Sequence, residues 1–142
     1  MSCPQIELLR WSGRETGINA VGLNVATTSS WIPISGGKML ELGFTHVNTS
    51  GALVITATLQ TRKLSQLVGG TLTGAQNELV RTIAGGVETL DVRSISRTVA
   101  GTENFSYATE CEGLGDAFRL LSLTAGGAAA TDLITMTARV LS

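Results

Sequence analysis

Lys38-Met39-Leu40-Glu41-Leu42-Gly43-Phe44-Thr45-His46-Val47 sets Leu40, Leu42 and Phe44 at every second position, with Glu41, Gly43 and Thr45 between them. A period of two marks a strand with one buried face, because successive side chains of an extended chain point to opposite sides. Asn48-Thr49-Ser50-Gly51 follows and reads as a hairpin loop. Beyond it, from Ala52 to Arg62, Leu53, Ile55, Ala57 and Leu59 alternate with Val54, Thr56, Thr58, Gln60 and Arg62. The pattern returns from Thr131 to Leu141, where Ile134, Met136, Ala138 and Val140 alternate with Leu133, Thr135, Thr137 and Arg139. These three segments make the chain all-β.

The punctuation around them is regular. Gly-Gly pairs stand at 36–37, 69–70, 85–86 and 126–127, with Ser-Gly at 12–13 and 50–51. Glycine supplies the positive φ of tight turns, so these pairs mark strand connections. Weaker strands are expected at Ile6–Trp11, Ile18–Ala26, Glu78–Ile83, Val87–Arg93, Phe105–Thr109 and Ala117–Thr124, where residues that suit a pleated surface gather. Eight or nine short strands suit an antiparallel β-sandwich of jelly-roll type. Leu64 to Val68 has room for one helical turn, and Pro33 confines Trp31-Ile32-Pro33-Ile34 to an edge or a loop. With 142 residues the sequence is one domain's worth of chain, 1–142, and Pro4 with its polar neighbours allows residues 1–5 to form an extended arm.

Composition narrows the function. Charged residues are only 15%, against roughly 25% in ordinary soluble domains, so Thr, Ser, Asn, Gln and Gly must cover the surface. Such a surface repels itself weakly and suits a chain packed against neighbours. The net charge of −1 and the scattered arginines lack the basic footprint of a nucleic-acid binder. Aromatic residues at 4% offer no stacking platform for single strands. No apolar run is long enough for a membrane helix, and Met1-Ser2-Cys3-Pro4-Gln5 does not begin a signal peptide. Neither nucleic acid nor membrane is expected as a partner. Without a secretory signal, Cys3 and Cys111 are expected as reduced thiols.

The inventory for catalysis is thin. The single histidine, His46, falls in register with Phe44 and reads as a structural residue; no ligands stand at metal-binding spacing around it. No Gly-x-Ser-x-Gly elbow marks out a serine, and Cys111 lies between Glu110 and Glu112, which disfavour a thiolate. The run from Glu110 to Asp116 departs from EF-hand spacing and reads as a solvated connection. Gly69-Gly70-Thr71-Leu72-Thr73-Gly74 lacks the Gly-Lys-Ser/Thr ending of a phosphate loop. No catalytic residue, cofactor or metal site is expected.

Two tryptophans stand apart from the dense apolar runs. Trp11 and Trp31 either seal the ends of the sandwich or anchor a protein–protein interface, since Trp brings large contact area at low entropy cost. On the second reading Arg10, Arg14 and Glu15 form a polar rim around Trp11. Trp11, Arg14 and Trp31 are the candidate interface residues.

Three stretches carry a family resemblance. Trp31-Ile32-Pro33-Ile34-Ser35-Gly36-Gly37-Lys38-Met39-Leu40-Glu41-Leu42 leads into Val54-Ile55-Thr56-Ala57-Thr58-Leu59-Gln60-Thr61. Asp116-Ala117-Phe118-Arg119-Leu120-Leu121-Ser122-Leu123 then runs through Gly126-Gly127 to Thr131-Asp132-Leu133-Ile134-Thr135-Met136-Thr137-Ala138-Arg139. Together, over about half the chain, they resemble the jelly-roll cement, or decoration, proteins of short-tailed bacteriophage capsids. The resemblance implies a homodimer or homotrimer on the outer capsid surface of the virion. There it would bind the major capsid protein across subunit joints, after synthesis in the host cytoplasm. The family brings no catalytic residues. A tail, connector or fibre-base part is the alternative, with a carbohydrate-binding sandwich behind it.

Overall fold

The computed structural model describes residues 9–34, 36–62, 67–68, 71–72, 76–77, 79–111 and 116–142. Its strands are β1 (Glu15–Gly22), β2 (Ile32–Pro33), β3 (Met39–Val47) and β4 (Leu53–Arg62), then the short β5 (Leu67–Val68), β6 (Thr71–Leu72) and β7 (Gln76–Asn77). They continue with β8 (Leu79–Ala84), β9 (Val87–Val92), β10 (Ser94–Val99), β11 (Glu103–Glu110), β12 (Ala117–Ala125) and β13 (Leu133–Leu141).

One sheet has the order β1-β13-β3-β11 and the other β10-β4-β12-β2, with β7 also on β4; every pairing is antiparallel. Setting aside β5 to β9, the chain visits the first sheet with β1, β3, β11 and β13, and the second with β2, β4, β10 and β12. That alternation is the eight-stranded jelly roll, and the sandwich expected from the sequence is the sandwich found. The five short strands β5–β9 form an insertion between β4 and β10, in which β5 pairs β6 and β8 pairs β9. The β8–β9 turn is Gly85-Gly86, with φ of 58° and 80°, the double positive φ of a type I′ hairpin.

The period of two does what it promised. Leu40, Leu42 and Phe44 of β3, Leu53, Ile55, Ala57 and Leu59 of β4, and Ile134, Met136 and Ala138 of β13 are all buried between the sheets. In β12 the alternation is reset. Phe118 and Leu120 point inward, then Leu123 and Ala125, because a bulge between Leu121 and Thr124 places Ser122 at φ 57°.

Several expectations need correcting. Asn48–Gly51 is no hairpin: β3 and β4 lie in different sheets, so the loop is a corner between layers. Its cause is Asp132, fully buried, whose Oδ1 accepts the Thr49 and Ser50 N–H groups and the Thr49 hydroxyl. Its Oδ2 accepts the Ser50 hydroxyl and the Ala129 N–H. Asp132, just ahead of β13, is thus the clamp that fastens two corners together.

The Ile18–Ala26 strand runs instead from Glu15 to Gly22, and the chain beyond it lies along β12. There Leu23 and Thr27 carbonyls accept the Ala125 and Leu123 N–H groups, and Ser29 exchanges backbone and hydroxyl bonds with Leu120. Of Ile6–Trp11, residues 6–8 lie outside the described residues, as do 1–5 with the expected arm. What is described there is a bridge from Trp11 to Leu141 and a pair of hydrogen bonds between Arg10 and Ser142. Residues 64–66 of the expected helical turn also lie outside, while Leu67–Val68 is strand. Ser94–Val99 is a strand the sequence reading missed; Ile95 and Val99 are its buried side chains. Ile32–Pro33 is an edge strand, as the proline required.

Candidate interaction surfaces

On the outer face of the first sheet the residues of β3 and β13 that alternate with the core come together. Glu41 lies opposite Arg139 in the β3–β13 register, and the Arg139 Nη2 donates to Glu41 Oε2 at 2.8 Å. Arg14, arriving just before β1, donates from Nη2 to Glu41 Oε1, also at 2.8 Å. The Arg139 bond above all, with help from Arg14, holds the Glu41 carboxyl below its ordinary range. The guanidinium carbon of Arg139 stands 4.4 Å from the centroid of the Trp11 ring, a cation–π contact. Trp11, Arg139, Glu41 and Arg14 are therefore one continuous cluster, and Trp11 is 39% exposed at its end.

Gly43 makes room for it. A Cβ there would stand 2.9 Å from Arg14 Nη1 and 3.2 Å from Thr137 Oγ1, so the bare backbone lets the guanidinium lie against the sheet. The result is a shallow depression of about 540 Å³, bordered by Arg14, Glu41, Thr45, Asn104, Ser106 and Thr137.

Trp31 belongs to the opposite surface. Arg119 of β12 and Arg62 of β4 bring their guanidinium carbons to 4.5 Å and 5.2 Å from its ring centroid. Arg119 Nε also donates to Gln60 Oε1 at 2.9 Å. Of the three residues expected at an interface, the structure joins Trp11 with Arg14 and sets Trp31 on the other sheet. Trp11 is exposed and Trp31 half-buried, and neither belongs to the buried core. Glu15, expected in the rim, adjoins Arg14 in the chain, while the cluster's ion pairs are those of Glu41 with Arg14 and Arg139. Glu41 and Arg139, with Arg62 and Arg119, were already on the polar phase of their strands, but the β3–β13 and β4–β12 registers that unite them are invisible in a single sequence.

His46 is wholly buried, its Nδ1 3.1 Å from the Leu133 carbonyl oxygen, which fixes that nitrogen as the donor. It is a core residue, as expected. Cys111 is a free, buried thiol whose pKa is raised by burial. Cys3 and residues 112–115 of the acidic run lie outside the described residues, as do Gly69, Gly70, Thr73 and Gly74. Among the described residues no group of three or more His, Cys, Asp or Glu gathers, and no helix is long and apolar enough to cross a membrane.

No protein-family model matches the chain, and no curated protein does. Among solved structures, the crystal structure of the SPBc2 prophage-derived protein YomS is similar, at 13% identity and a TM-score of 0.47, over 99% of this chain and 100% of that one.

Proposed function

We propose that this chain is a capsid cement protein, one that binds the outside of a bacteriophage head and stabilises contacts between major capsid subunits without catalysing a reaction. The observation that carries the reading is the character of the two outer sheet faces. Each carries outward Thr and Ser side chains, among them Thr45, Ser106 and Thr137 on the first and Thr56, Thr58, Ser94 and Ser96 on the second, and each bears a tryptophan flanked by arginine, Trp11 with Arg139 and Trp31 with Arg62 and Arg119. Trp and Arg are the residues most enriched where protein surfaces bind one another. The jelly-roll topology and the resemblance in the segments around Trp31, Val54 and Asp116–Arg139 support the same reading.

A shell is stabilised by anything that binds its assembled form better than its free subunits. Self-association into a dimer or trimer would let each copy bind modestly and the set bind tightly. A surface of hydroxyl groups can form many hydrogen bonds while avoiding the desolvation cost of buried charge.

The test is copy number. Phage particles that contain the chain are purified and the chain is quantified by mass spectrometry against the major capsid protein. A one-to-one ratio, or a simple fraction of it, is the expected result. A handful of copies per particle would move the chain to the tail or neck, and absence from particles would overturn the proposal.

A further inference from the structure

The two faces differ in how their arginines are neutralised. On the first sheet, Arg14 and Arg139 share the carboxylate of Glu41. At the edge of the sandwich, Arg97 is paired with Glu103 at 2.9 Å. On the second sheet, Arg62 and Arg119 converge on Trp31, and among the described residues neither has a carboxylate partner. A chain whose net charge is −1 thus holds two uncompensated cations at one ring.

Their geometry suits an anion. Arg119 spends its Nε on Gln60, which leaves its two terminal nitrogens, the fork that matches a carboxylate edge to edge. Stacking on the indole restrains both guanidiniums, so less freedom is lost when they bind. Two like charges at one ring also repel, and an acid placed against them relieves that repulsion. Farther along the face, Thr58 is paired with Ser94 and Thr56 with Ser96, all uncharged and on the outward phase of β4 and β10.

We propose that the Trp31–Arg62–Arg119 cluster is the docking site for an acidic segment of a partner protein, recognised through paired Asp or Glu carboxylates. This deepens the cement reading by assigning the sheet that meets the partner. On that reading the partner segment belongs to the shell, while the Trp11 face, where Glu41 offsets one of two arginine charges, makes a second contact.

The probe is a decaglutamate peptide, titrated at low salt into the full chain carrying Trp11→Phe, so that indole emission reports Trp31. The expected result is a saturable change that rising NaCl suppresses. Arg62→Gln with Arg119→Gln should raise the apparent dissociation constant by at least about tenfold, while Arg14→Gln changes it by less than about twofold. Circular dichroism checks that each variant is folded. No saturable change, unchanged affinity in the double variant, or tighter binding of decathymidylate than of decaglutamate would overturn the assignment. The two proposals fail separately. If the chain is absent from particles yet binds decaglutamate through these arginines, the shell reading falls and the site stands. If the double variant decorates particles as the wild type does, the site falls and the shell reading stands.

Discussion

Asp132 accepts both the backbone N–H and the hydroxyl of Thr49, 83 residues earlier in the chain. With the Ser50 and Ala129 donors added, every hydrogen bond recorded at this carboxylate is one that it accepts. Asp132→Asn would turn one oxygen into a donor facing an N–H or a hydroxyl. The expected outcome is a melting temperature lower by roughly 5–10 °C, since the corner between the sheets and the start of β13 lose a shared anchor. Thermal circular dichroism of the variant beside the wild type measures it; a shift under about 2 °C would show that the clamp is dispensable.

The same carboxylate makes stability depend on acid. The Ser50 hydroxyl, then the Thr49 N–H, hold Asp132 far below the usual carboxylate range, although burial pushes the other way. Because the folded-state pKa is depressed, the contribution is fully present above the unfolded value of about 4 and is lost as the pH falls through the folded value. Glu41, lowered by Arg139 and Arg14, acts in the same direction from a more solvated position. Melting temperatures of wild type and Asp132→Asn, followed from pH 7 down to pH 2, should begin to converge below about pH 4 and draw steadily closer down to pH 2. A gap that stays constant over that range would mean the charge is not what the clamp needs.

The sequence reading recovered the class, the buried phase of the long strands and Pro33 at an edge, because period and proline chemistry act locally. It missed what depends on partners distant in the chain. In Ser94-Ile95-Ser96-Arg97-Thr98-Val99 the charged Arg97 falls on the phase of Ile95 and Val99, and this break with the polar majority hid the two side chains the strand buries. Asn48–Gly51 has the composition of a hairpin and serves as a corner, since the carboxylate that shapes it lies beyond β12. Trp11 and Arg14 could be singled out by residue type; Glu41, which sits between Arg14 and Arg139, required the register of β3 on β13. Trp31 could likewise be singled out by residue type, while its two arginines come from strands far from it in sequence.

Glycines that look alike in the sequence should respond differently to a methyl group. At Gly37 an added Cβ would meet the Ile34 carbonyl oxygen at 2.9 Å and crowd Val140 and Cys111, so backbone must move. At Gly43 it would meet the far end of the Arg14 side chain, which can swing away at the expense of its bond to Glu41. At Gly126 it would meet nothing. Urea unfolding should therefore rank Gly37→Ala as clearly destabilising, by about 1–3 kcal/mol, with Gly43→Ala and Gly126→Ala within about 1 kcal/mol of wild type. A tolerated Gly37→Ala would show that the β3 entry repacks more freely than its contacts imply.

Trp11→Ala separates folding from binding. The ring lies outside the core and is 39% exposed, and Arg139 keeps its bond to Glu41 when the ring is gone. Stability should therefore fall by no more than about 1 kcal/mol. If Trp11 is an anchor, as its exposure beside a fixed guanidinium suggests, partner affinity should drop by about 2 kcal/mol or more, some thirtyfold. The measurement is rebinding of purified chain to particles from which it has been stripped, wild type against variant. Unchanged rebinding would remove Trp11 from the interface, and with it the reason to place a contact on the β1–β13–β3–β11 face, leaving the arginine pair around Trp31 to carry attachment.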